Sequence, residues 1–141
     1  MYQNILVPVN GTEISETAVP HAFEMAEKHD AVVHSLCAYS REGGYGSLSV
    51  DATEKQEMDL RSRAEQIATD VADRAESKGL EAVSAVSSGD PADSILNYVD
   101  DQNIDLVVIG ARKRSPTGKL LFGSVTQAVI LHVDVPVVVT G

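Results

Sequence analysis

Five short aliphatic runs, each separated from the next by a stretch of helical periodicity, limit this chain to one class of fold. The runs are Ile5–Val9, Ala31–Ala38, Leu80–Ser87, Ile104–Gly110 and Val135–Thr140. Most are nearly continuous rather than alternating, as strands buried on both faces are. Between them, the segments from Thr12 to His29, Thr53 to Lys78, Asp90 to Gln102 and Ser124 to His132 repeat apolar residues at helical spacing. The order β-α-β-α-β-α-β-α-β predicts an α/β fold, a doubly wound parallel sheet with helices on both faces, in one domain spanning residues 1–141. Ligands of such sheets sit beyond the carboxyl ends of the strands, where strand order reverses. Periodicity alone leaves that order open.

Local signals mark where the elements begin and end. Thr12 is placed to cap the first helix, and Pro20 removes a hydrogen bond that would reach Glu16, so a kink or loose first turn is expected there. Gly79 stands where a left-handed C-cap is wanted. Gly89-Asp90-Pro91 reads as a helix start, with Asp90 as N-cap and Pro91 in the first helical position. Ser124 and Gln127 have the spacing of a capping box. Tyr39–Ala52, with Gly43, Gly44 and Gly46, is too glycine-rich for regular structure and reads as a mobile loop.

Composition narrows the function classes. The chain has 141 residues, 43% hydrophobic, without Trp and with only 4% aromatics, so its core is aliphatic. A net charge of −10 argues against general nucleic-acid binding, because phosphate would be repelled by most of the surface. Cys37 is the single cysteine, which excludes an internal disulfide and suits a reducing compartment. The amino terminus Met-Tyr-Gln-Asn has no basic region, and no apolar run approaches the roughly 20 residues that span a bilayer. The expectation is a soluble, cytoplasmic protein with no membrane partner.

Against that acidic background, four of the eleven Lys and Arg residues cluster as Arg112, Lys113, Arg114 and Lys119. They lie between the strand ending at Gly110 and the helix beginning near Gly123-Ser124. Charge runs are usually solvated surface. Here the opposite overall charge and the adjoining helix N-terminus, whose first N–H groups lack helical partners, point to an anion site. No Walker pattern is present, because Gly118-Lys119 is followed by Leu120. His21, His29, His34 and His132 show no metal-ligand spacing with one another or with Cys37, and no catalytic set is identifiable.

The frame Gly110, two residues, Lys113, nine residues, Gly123-Ser124 resembles the nucleotide loop of the universal stress protein family, with Lys113 replacing a middle glycine. The resemblance runs through Ile5–Glu13, the Gly89-Asp90-Pro91 start, Asp105–Gly110 and the closing Val135–Val139. It implies a five-stranded parallel sheet in the order 3-2-1-4-5, an adenine nucleotide alpha-hydrolase-like sandwich. By the same resemblance, Pro8, Val9, Asn10 and Cys37 from the first two strands flank a nucleotide. Ile109 belongs to the same site, and Gly110, Gly123, Ser124, Val125 and Thr126 fit the phosphate and ribose positions; Lys113 breaks the family pattern, and with Arg112 it would neutralise phosphate by its charge. The family usually has a carboxylate where this chain has Asn10, which can hydrogen-bond but offers no negative charge to a metal ion.

The resulting expectation is a stress-response protein that binds ATP or a related nucleotide or anion, with magnesium only alongside the nucleotide. It would act by binding, with slow ATP hydrolysis at most and no identifiable base. Ligand would order the Gly43–Gly46 and Arg112–Lys119 loops and change the surface offered to an as yet unknown protein partner. The competing expectation, motivated by Asn10 and Lys113, is a nucleotide-independent dimeric interaction module with a degenerate site. A homodimer through the apolar edge strand Val135–Val139 is expected in either case.

Overall fold

The computed structural model describes residues 1–40, 48–49, 54–111 and 123–141. Strand β1 (Asn4–Pro8) leads through α1 (Glu13–Glu16) and α2 (Ala18–His29) to β2 (Val32–Ser40). A two-residue strand β3 (Leu48–Ser49) precedes the long α3 (Glu54–Ser77). The chain continues with β4 (Ala82–Ser88), α4 (Pro91–Asp101), β5 (Leu106–Gly110), α5 (Ser124–His132) and β6 (Val137–Thr140). All strand pairings are parallel, and the five longer strands lie in the order β4-β2-β1-β5-β6, the 3-2-1-4-5 arrangement. β3 pairs with Tyr39 and Ser40 at the end of β2, so Tyr39–Ala52 is not wholly irregular. Gly43, Gly44 and Gly46 lie outside the described residues.

Strand parity sorts the core into two layers. Ile5, Val7, Val33, Leu106 and Val108 pack with α2 and with Val71 and Ala75 of α3. Leu6, Leu36, Val107 and Ile109 point the other way, against Ile95 and Val99 of α4 and Val129 of α5. Successive strand residues face opposite sides, so the nearly unbroken aliphatic runs fill both layers. Each fully buried Leu or Ile contributes roughly 1.5–3 kcal/mol relative to exposure.

The helices begin and end where local chemistry directs. Thr12 Oγ1 accepts from Ser15 N at 3.3 Å, and Asp90 Oδ2 accepts from Asp93 N at 3.0 Å. The first helical stretch breaks at Thr17, between α1 and α2, where Pro20 leaves the Glu16 carbonyl without its helical donor. At the carboxyl ends, Asp30, Gly79 and Asn103 take left-handed conformations at φ 54°, 82° and 53°. In each case the next residue's N–H reaches back five positions, Ala31 to Ala26, Leu80 to Ala75 and Ile104 to Val99. Leu80 is spent on that closing turn, so β4 starts at Ala82 rather than at Leu80.

The capping box at Ser124 does not form. Gly123 is the N-cap, in an extended conformation (φ −66°, ψ 161°), and no side chain caps the helix. Ser124 is already the first helical residue, exposed, and so cannot adopt the extended geometry a side-chain cap needs.

Candidate functional site

The sheet opens at its switch point. β1 and β5 pair only at Ile5↔Leu106 and Leu6↔Val107, although β1 continues to Pro8 and β5 to Gly110. Above that pairing lies a crevice of about 270 Å³, at the carboxyl ends of the strands and between the amino ends of α4 and α5. Pro8, Val9, Leu36, Ala38, Pro91, Ile95 and Ile109 form most of its apolar wall. Asn10, Thr12, Ser15 and Thr126 supply polar groups, and Gly110 and Gly123 leave backbone exposed to it.

The Asn10–Ser15 turn is tied by its own side chains. Asn10 Oδ1 accepts from Thr12 N at 3.1 Å and from Thr12 Oγ1 at 2.6 Å. Ser15 Oγ accepts from Asn10 N at 3.2 Å and donates to the Thr12 carbonyl at 3.0 Å. Gly11, at φ 83°, makes the reversal that brings these groups together. The rim is therefore set before any ligand arrives.

Gly110 has a reason that lies within the fold. A Cβ built there would overlap the Ile14 carbonyl oxygen and come within 2.8 Å of the Ile14 carbonyl carbon. The backbone of α1 crosses the end of β5 so closely that no side chain fits. Thr126, buried on α5, faces the same point, its hydroxyl 3.5 Å from the Gly110 carbonyl, a long hydrogen bond. Gly123 sits at the amino end of α5, where the first N–H groups have no capping side chain and the helix dipole is positive.

Of the residues singled out from the sequence, Pro8, Val9, Asn10, Ile109, Gly110, Gly123, Val125 and Thr126 all line the crevice. Arg112 and Lys113, with the rest of the basic loop, lie outside the described residues. Ser124 is exposed and does not line the cavity. Cys37 is a correction: it is fully buried on the opposite face of β2, packed with Tyr39, Leu60, Ala64 and Ala68. Burial pushes its thiol up to about 11, so it is an inert core residue. Its neighbours Leu36 and Ala38 line the crevice instead. β2 is buried on both faces, so its unbroken pattern carries no sign of which alternate set of side chains faces the crevice. Thr12, Ile14, Ser15, Pro91 and Ile95 were also missed as lining residues, because loop closure and helix packing bring them there.

A second polar group sits at the opposite end of the sheet. His34, buried on β2, lies with Nδ1 2.8 Å from the Tyr98 hydroxyl and Nε2 3.0 Å from Asn4 Oδ1. Asp105 accepts from Gln3 N at 2.8 Å and Asn4 N at 3.2 Å. Burial lowers the His34 pKa from its usual 6.5, opposed by the Asp105 charge. The arrangement ties β1 to β2 and β5, away from the crevice. Among the described residues no group of three His, Cys, Asp or Glu could hold a metal ion, and no helix is long and apolar enough to cross a membrane.

Comparison with known proteins agrees with this geometry. A universal stress protein of Methanocaldococcus jannaschii is 26% identical over 139 residues, covering 99% of this chain and 82% of the relative. A universal stress protein of Archaeoglobus fulgidus superposes over the whole of both chains with a TM-score of 0.76 and 28% identity. Another structure from Archaeoglobus fulgidus, a universal stress protein in complex with dAMP, has a TM-score of 0.71 at 22% identity, covering 99% of this chain and 98% of that one. The model of the universal stress protein family matches residues 1–141, and the chain belongs to that family.

Proposed function

We propose that this protein binds a nucleotide, ATP or a related anion, in the crevice between β1 and β5 and acts in the stress response by binding rather than by turnover. The observation that carries the reading is the crevice itself. An apolar wall of Leu36, Ala38, Ile95 and Ile109 suits a base, and the uncapped amino end of α5 suits a phosphate a short distance away. The dAMP complex of the Archaeoglobus fulgidus protein supports a nucleotide as the ligand class. In the sequence, Arg112, Lys113, Arg114 and Lys119 add positive charge between Ala111 and Gly123, the two ends that flank the crevice.

Homodimerisation is part of the proposal. Among the described residues β6 is a sheet edge, pairing only with β5, and its Val137–Thr140 are all half-buried. Pairing with a second copy would cover that edge. A cytoplasmic setting belongs to the same reading, since the one cysteine, Cys37, is a free thiol and suits a reducing compartment.

A nucleotide-independent interaction module is favoured by one observation: Asn10 and Gly110 both have complete structural reasons inside the chain. Thermal melting with AMP, cyclic AMP and ATP separates the two. Binding is expected to raise Tm in proportion to the logarithm of ligand concentration. An unchanged Tm with all three favours the interaction module.

A further inference from the structure

The polar end of the crevice is made of neutral groups whose oxygens are largely committed. Asn10 Oδ1 holds the Thr12 amide and hydroxyl, at 3.1 and 2.6 Å, and Ser15 Oγ bridges Asn10 N and the Thr12 carbonyl. None of the lining residues among those described is Asp, Glu, His or Cys. In the sequence, the segment between Ala111 and Gly123 contains four basic residues and no Asp or Glu. A magnesium ion that accompanies phosphates is held through one or two protein carboxylates, in near-octahedral geometry. The amino end of α5 offers the reverse chemistry, N–H donors and a positive dipole that favour bare anionic oxygens.

We propose that the crevice takes its nucleotide free of divalent metal, and that Asn10 is the residue that sets this preference. This rests on the nucleotide reading above and specifies the form in which the ligand enters. Asn10 keeps the rim rigid through the same two acceptor bonds an aspartate would make, while adding no charge. A carboxylate there would keep the turn and repel phosphate oxygens, unless a cation intervened.

The test is calorimetric titration of the full chain with ATP and with AMP, each in EDTA and in excess magnesium, on the wild type and on Asn10→Asp. Wild-type affinity for ATP is expected to be equal in the two conditions or higher in EDTA, because magnesium shields the charge the site reads. Asn10→Asp, with its melting temperature checked, is expected to lose about tenfold in EDTA and to recover part of that loss in magnesium. Wild-type ATP binding about tenfold tighter with magnesium overturns the inference while leaving the nucleotide reading intact, as does an Asn10→Asp affinity in EDTA equal to wild type. Absence of heat with both nucleotides in both buffers overturns the nucleotide reading itself.

Discussion

At Gly110, the backbone of α1 and the end of β5 compete for the space a methyl group would fill. Gly110→Ala must push Ile14 outward, and over-packing of this kind costs about 1–3 kcal/mol. Urea denaturation is expected to show that loss, and an Ala variant as stable as wild type would mean that α1 does not press on β5. A sequence motif can thus name the right residue for a reason that lies elsewhere: the glycine was legible, whereas the chain segment that requires it comes from nearly a hundred positions earlier. His34 makes a second prediction. Burial lowers its pKa in the folded state below 6.5, so the unfolded chain binds the extra proton more readily. Stability is therefore full above 6.5 and falls as pH drops through that value towards the lowered folded pKa. Facing groups include the Tyr98 hydroxyl, Asn4 and the Asp105 carboxylate, and the last of these limits the loss. Replacing His34 by Gln is expected to flatten this part of the stability–pH curve; an unchanged slope would assign it to other groups.

At the scale of elements, several short-range signals were legible because their chemistry is local. Thr12, Asp90, Gly79 and the break before Pro20 all stand where residue preference places them. The Ser124–Gln127 spacing misled because Gly123 took the cap one residue earlier, and a glycine N-cap costs only a few tenths of a kcal/mol against serine. Cys37 misled by a single step, since one residue along a strand turns a side chain to the other face. The apolar pattern of β2, buried on both sides, carries no alternation to give the face away. Asp90→Ala is expected to destabilise the chain by about 1 kcal/mol in urea denaturation, through loss of the bond to Asp93 N. Gly79→Ala has open space for its Cβ, so its cost comes from the left-handed backbone alone, about 1–2 kcal/mol. A Gly79→Ala variant with wild-type stability would show that the turn closing α3 is not held in that conformation.

Across the whole molecule, the succession of elements was legible because each crossover alternates a two-sided strand with an amphipathic helix. Periodicity left the strand order open, since it depends on long-range pairing such as Ile5 with Leu106; the family resemblance implied the order 3-2-1-4-5, and the sheet has it. The same pairing, ending early, opens the crevice. β6 closes the sheet on one side with an edge of valines, and sedimentation is expected to give twice the 15.0 kDa chain mass. A monomer at micromolar concentration would show that this edge is left uncovered in solution.

Entry of a nucleotide into the opening between β1 and β5 is visible by amide NMR during an AMP titration in EDTA. Saturable shifts are expected at Val9, Asn10, Gly110, Gly123 and Thr126, whose backbones border the crevice. A spectrum that does not move, or that moves only around Val19, Phe23 and Leu80 in the groove between α2 and α3, would contradict it.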